Sequence, residues 1–202
     1  IRDFCLYRGL GDVYKRQVLS GSSMQLNNVY VRATGTTCGI DEFNGPLGQY
    51  FDRHYPDFHF GHKSYELAEM AMLQDAISHA LKKGKLKKDD INVFLGGDLN
   101  NQVTASNYTA KDFQRPFMAM YGACATMGLV INTASMLIEN HCIHNANCFV
   151  CSHNATAERQ FRYPIEYGVQ RKETMTTTAT GAVSVTVSYT HLRAHETGRN
   201  LV

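Results

Sequence analysis

Residues 125–139, ATMGLVINTASMLIE, carry no charge before Glu139 and are apolar almost all the way round a helical wheel. A surface helix keeps a polar face toward water, so a helix without one has to be covered on most sides. That single requirement selects a layered fold in which this helix is packed between other elements. The flanking sequence supplies the layers. NNVYVRATGT (27–36), ending near Gly35, INVFLGGD (91–98), 116–121, NANCFVCS (145–152) and GAVSVTV (181–187) are short runs rich in apolar and β-branched residues, and the spacing predicts strands. Between two of them, Leu67, Met70, Leu73, Ile77, Ala80 and Leu81 recur at steps of three and four. They predict an amphipathic helix from Ser64, a fitting N-cap, to Lys83, with Gly84 as its stop, about five turns long. This helix is expected to be purely structural. A further helix is expected over 104–114, and HNATAERQFRYPIEYG (153–168) reads as a long polar connection. Strands that alternate with helices and are themselves continuous apolar runs imply an α/β fold with a parallel sheet covered on both faces.

The two ends do not fit this pattern. CLYRGLGDVYKRQ (5–17) and VSYTHLRAHETGRNLV (187–202) have no hydrophobic period and resemble translated sequencing-adapter read-through. The expected domain is therefore 18–186, with 1–17 and 187–202 set aside as artefact.

Charge and cysteine content narrow the function classes. Twenty Lys and Arg against 18 Asp and Glu leave no strong field to steer nucleic acid or anionic lipid. No run approaches the roughly 20 apolar residues of a membrane span, so a cytosolic or peripheral protein is expected. Six cysteines, at 5, 38, 124, 142, 148 and 151, are too sparse for a disulfide scaffold. Cys148 and Cys151, with His141, His144 and His153 nearby, invite a zinc reading. A strand would send residues three apart to opposite faces and no second cysteine pair follows, so no metal is expected.

In sheets of this kind ligands bind beyond the carboxyl ends of the strands. Three polar clusters fall there: Asp98 with Asn100, Asn101 and Gln102; Cys124; and Ser152, His153 and Asn154. Cys124 lies between a strand and the start of the apolar helix, where free N–H groups and the helix dipole would favour a thiolate or hold a ligand carboxylate. His153 could be a general base or a loop cap. Arg159 and Arg162 form a donor pair suited to carboxylates.

These junctions also carry a resemblance. GPLGQYFDRHYPDFHFGHKSYELAEMAMLQDAI (45–77), FLGGDLNNQ (94–102), FMAMYGACAT (117–126) and SHNATAERQFRYPIEYG (152–168) resemble the stage V sporulation protein AD family (SpoVAD), thiolase-like proteins of endospore-forming bacteria. The likeness runs from about Gly45 to Val185. It implies a thiolase-like α/β fold: the N-terminal half of a duplicated αβαβα architecture, with a mostly parallel sheet and a buried central helix. It also implies binding in place of catalysis, with no cofactor. The family's ligand is dipicolinic acid. Its implied place is the SpoVA complex, which takes up calcium dipicolinate into developing spores and releases it in germination. The setting implied is peripheral, at the cytoplasmic face of the forespore and spore inner membrane, with the other SpoVA membrane proteins as partners. A homodimer through the thiolase-like interface is allowed.

Carried over by position, Cys124 matches the acyl-accepting cysteine of thiolases, and Asp98, His153 and Asn154 lie in the family's GDL and SHNA motifs. With Asn101, Arg159 and Arg162 they make the expected ligand-binding set. Two departures stand out: Ala125 follows Cys124 where the family has serine, and TTTATGAVSV lacks part of the usual glycine-alanine turn. The alternative is a thiolase or ketoacyl synthase-type acyltransferase with Cys124 as nucleophile and backbone N–H groups holding the oxyanion.

Overall fold

The computed structural model describes residues 18–20, 23–161 and 179–189. The terminal segments 5–17 and 190–202, and Arg162, lie outside the described residues. A hairpin of β1 (Val18–Ser20) and β2 (Ser23–Met24) precedes β3 (Tyr30–Cys38), α1 (Ile40–Phe43), β4 (Arg53–His54) and α2 (Tyr65–Lys83). Then come β5 (Val93–Asp98), α3 (Thr104–Phe113), β6 (Phe117–Ala119), α4 (Thr126–Glu139), β7 (Asn145–Ser152), α5 (Asn154–Phe161) and β8 (Gly181–Ser188).

Six strands form one sheet in the order β4-β3-β8-β7-β5-β6. Three of its five pairings are parallel, and β8 runs antiparallel to both of its neighbours, β3 and β7. The sheet is thus mostly parallel, as expected, with β8 the exception that makes it mixed. A continuous apolar run reports that both faces are covered but carries no strand direction, which is why β8 escaped. β8 also continues past 186: Val187 is buried, pairs with Val31 and Ala146, and is followed in the ladder by Ser188.

The helix over 64–83 forms as its pattern demands. Ser64 Oγ accepts from Leu67 N–H at 3.3 Å, Glu66 sits in the first turn, and Lys82 and Lys83 sit in the last, each favourable to the helix dipole. Its buried stripe, Ala68, Met72, Leu73, Ala76, Ile77 and Ala80, lies across β3 and β8. A Cβ on Gly35 would come within 2.0 Å of Ala76 O and 2.5 Å of Ala80 N. The glycine that looked like a strand end is thus a mid-strand gap for a crossing helix, and β3 runs on to Cys38.

Two cores result, one on each face. Met72, Leu73, Ile77, Phe94 and Phe149 fill the space under α2, while Leu95, Val130, Ala134, Ile138, Cys148 and Val185 pack under α4. Cys148 and Cys151 point into different cores, as strand alternation requires. The apolar helix α4 is covered only on its sheet side. Leu129 and Met136 on the other side are 39% and 42% exposed, so among the described residues the second covering layer expected from the sequence is absent.

The stretch read as a polar connection begins as α5. NATAERQF lacks an apolar stripe long enough to register as a period, yet it is built largely of good helix formers. Its start is organised by polar groups: Ala155 N–H donates to Asn154 Oδ1 at 2.8 Å and to His153 Nδ1 at 3.1 Å.

Candidate functional site

The carboxyl ends of β5 and β7 and the turn that begins α4 meet at one cavity of about 290 Å³. Cys124, Met127, Val150, Cys151 and Val183 give it a largely apolar wall, and Glu42, Asp98, Ser152 and Thr180 add polar groups. Cys124 is exposed and sits in a single 3-10 turn, Ala123–Ala125, directly before α4. Backbone contacts fix that turn. Thr126 Oγ1 accepts from Gly122 N–H at 3.0 Å and donates to Ala123 O at 2.8 Å. Ala125 N–H donates to Gly122 O at 2.9 Å, and Thr126 N–H to Ala123 O. Two N–H groups beside the thiol are therefore engaged within the turn, where the sequence suggested free donors. Ala123 adopts φ 47°, the left-handed conformation that reverses the chain after β6. Beneath it, Met120 N–H donates to Gly96 O at 2.9 Å, and a Cβ on Gly97 would come within 2.0 Å of Met120 O. Only glycine at 97 lets the Cys124 segment lie this close to β5.

Asp98 ends β5 and turns its carboxylate to the start of α3. It accepts from Ala105 N–H at 2.8 Å, Ser106 N–H at 2.9 Å and the Ser106 hydroxyl. The Cys151 thiol donates to the same carboxylate at 3.4 Å. Burial raises the Asp98 pKa, and these donors oppose the rise. Asp98 thus caps α3 from a neighbouring strand while forming part of the cavity wall.

His153 is fully buried and turned the other way. Its Nδ1 accepts from Ala155 N–H, so Nε2 carries the proton and donates to Phe58 O at 2.9 Å. Phe58, Phe60 and Tyr65 surround the ring, and burial lowers its pKa. Of the two roles open to it in the sequence, this geometry is that of a cap and loop anchor. Asn154 stands at the cavity rim through Thr180, whose hydroxyl donates to Asn154 Oδ1 at 3.1 Å. Thr180 N–H donates to Glu42 Oε1 at 2.8 Å, which ties α1 to the same rim. Asn101 is exposed on the loop after β5 and is not part of this cavity's wall. Arg159 lies on α5; its side chain, like the whole of Arg162, lies outside the described part.

One residue of consequence was missed. Glu69 is 3% exposed, and its Oε2 accepts from the Thr156 hydroxyl at 2.8 Å while Oε1 has no hydrogen-bond partner. Burial and the nearby Asp98 push its pKa up to about 7. Position 69 falls on the same stripe as Met72, Leu73 and Ala76, and a carboxylate in an apolar stripe is the signal that would have found it.

A mixed sheet with helices on both faces and a cysteine at a strand-to-helix turn is the arrangement of a thiolase-like fold. The chain has the fold of 3-oxoacyl-[acyl-carrier-protein] synthase III from Aquifex aeolicus VF5, at a TM-score of 0.55 and 10% identity, with 80% of this chain and 54% of that one covered. Cerulenin-bound OleA of Xanthomonas campestris is similar at a TM-score of 0.58 and 14% identity, over 86% of this chain and 60% of that one. Within this class the chain belongs to the stage V sporulation protein AD (SpoVAD) family, whose model matches residues 21–197. Stage V sporulation protein AD of Bacillus subtilis (strain 168) is 45% identical over 162 residues. That alignment covers 80% of this chain and 48% of the relative, so the chain spans about half the length of the curated relative it matches. Among the described residues no helix is long and apolar enough to cross a membrane.

Proposed function

We propose that this chain is the N-terminal, ligand-binding half of a dipicolinic acid-binding component of the SpoVA complex, acting in uptake of calcium dipicolinate into developing spores and its release in germination. The observation that carries this reading is membership of the SpoVAD family, with 45% identity to a sporulation protein. In this reading residues 18–186 form the first half of a duplicated thiolase-like fold that works peripherally at the cytoplasmic face of the spore inner membrane. The other SpoVA membrane proteins are its partners, and the thiolase-like interface serves a homodimer. The 290 Å³ cavity supports the reading through its form: Met127, Val150 and Val183 offer apolar surface to an aromatic ring, beside polar groups at the rim. Cys124 is then a wall of the pocket. The N–H groups of Ala125 and Thr126 close the turn in place of waiting for an oxyanion.

The test is a calorimetric titration of dipicolinic acid into the full-length protein, with Cys124→Ala beside it. Saturable heat that weakens in the variant is expected. Absence of heat in both proteins removes the binding reading. The second reading, an acyltransferase, is favoured by one observation, the exposure of Cys124 at the cavity of a fold shared with synthase III and OleA. A thioester adduct on Cys124 after incubation with acyl-CoA, seen by mass spectrometry, would establish it.

A further inference from the structure

A second cavity, of about 320 Å³, opens where α2, the β5–α3 loop and α5 meet. Asp98 belongs to its wall as well, with Glu66, Glu69, Asn100, Gln102, Thr104 and Thr156. Glu66 and Glu69 lie three residues apart on α2 and share a face. Among the described residues this wall holds no lysine or arginine. Glu69 Oε1 is buried without a hydrogen-bond partner, and a buried carboxylate oxygen left unpaired needs a reason. Its neighbours cannot supply one. Asp98 is an acceptor already engaged with Ala105, Ser106 and Cys151, and the Thr156 hydroxyl shares its one proton between Glu69 Oε2 and His153 O. The Cys151 thiol lies against both Glu69 and Asp98 but has one proton, which it gives to Asp98 at 3.4 Å, and burial keeps it from ionising.

We propose that this cavity binds a small organic ammonium compound. Its charged nitrogen donates to Glu69 Oε1, with Glu66 as the second negative charge, and its polar body lies against the amides of Asn100 and Gln102 and the Thr104 hydroxyl. A bare metal ion fits less well. The cavity is many times the volume of an ion, and among the described residues no three acidic, histidine or cysteine side chains converge to ligate one. The site is independent of the dipicolinate reading, since Glu66 and Glu69 belong to this cavity's wall and not to that of the Cys124 cavity.

The experiment titrates putrescine and ethanolamine, and magnesium chloride separately, into the full-length protein near pH 8 at constant ionic strength. At that pH Glu69 is ionised, its pKa having been pushed to about 7, with Glu66, Asp98 and Cys151 the titratable groups around it. Saturable binding of at least one amine is expected, weakened tenfold or more by Glu69→Gln and a few-fold by Glu66→Gln. Glu66 is exposed, so its variant leaves the core intact and keeps the test decisive if Glu69→Gln does not fold. Three results overturn the proposal: no saturable heat with either amine, amine binding unchanged in both variants, or saturation by magnesium alone. Dipicolinate titrated into Glu66→Gln separates this site from the other, because its binding there should be unaltered.

Discussion

The two cavities that share Asp98 are built by opposite means. The Cys124 cavity is framed by short turns held through main-chain contacts, and its wall is mostly apolar. The Glu69 cavity hangs on a five-turn helix, and most of the residues that line it carry a carboxylate, amide or hydroxyl. Side-chain substitutions should therefore alter the second cavity without moving its frame, whereas the first should fail when backbone clearance is lost. The largest expected effect tests that contrast. Gly97→Val puts a branched side chain where even a Cβ meets Met120 O at 2.0 Å. Overpacking of this kind costs about 3 kcal/mol or more, and it should displace the turn carrying Cys124. Chemical denaturation would measure the loss, and the rate of Cys124 alkylation in the surviving folded fraction would report the displaced turn. A stability within about 0.5 kcal/mol of the parent would defeat the frame argument.

Asp98→Ala, the next in size, strikes the residue common to both cavities. It leaves Ala105 N–H, Ser106 N–H and the Ser106 hydroxyl without their buried acceptor. The expected cost is about 2–4 kcal/mol, with Asp98→Asn retaining part of it. If the two variants lose equally, the charge matters and the hydrogen-bond geometry does not.

The pH dependence comes third, and here two buried groups, Glu69 at the second cavity and His153 outside both cavities, differ in sign. Glu69 is raised from its ordinary 4.5 to about 7, so between those values the folded chain holds a proton that the unfolded chain has released. Stability therefore falls as pH rises through that window, by roughly 3 kcal/mol if Glu69 acts alone. His153, lowered below its ordinary 6.5, works the other way: as pH falls past 6.5 the unfolded chain takes up the proton first. Asp98, also raised by burial, adds to the Glu69 side, and the parent's profile is the net of these opposing contributions. Glu69→Gln should remove the alkaline loss and leave the acid one, which urea unfolding at pH 5, 6, 7 and 8 would resolve. An unchanged slope in Glu69→Gln would mean that the carboxylate is solvated.

How much of this was legible in the sequence follows from what periodicity encodes. Helix α2, with its Ser64 cap, was readable because 19 residues repeat one apolar stripe. The strands and the ends at which Asp98 and Cys124 sit were readable from run length and glycine. Direction was not, because β8 is covered on both faces and reads alike either way. Nor could the pattern reveal that His153 turns from the cavity toward Phe58, since that depends on a loop 95 residues upstream. Glu69 is readable in principle as a carboxylate set within the apolar stripe, where periodicity alone expects a hydrophobic residue. The family resemblance supplied the thiolase-like fold that the residues alone left as a generic α/β sheet.

The smallest effect concerns the closure of the Cys124 turn. Ala125 brings no hydroxyl to the turn beside Cys124, and Thr126, one position on, bridges Gly122 N–H and Ala123 O with its own. Thr126→Val keeps the shape, removes both bonds and leaves the part-buried Gly122 N–H short of an acceptor, at a cost of about 1–2 kcal/mol. Thr126→Ser should keep both bonds and lose only a methyl group. If the hydroxyl fixes the turn, Cys124 alkylation should quicken in the valine variant and stay near the parent rate in the serine one. Equal rates in all three proteins would show that Gly97 and the Ala125 N–H bond to Gly122 O hold the turn unaided. The frame of this cavity would then be wholly main-chain, a stronger form of its contrast with the side-chain-built cavity at Glu69.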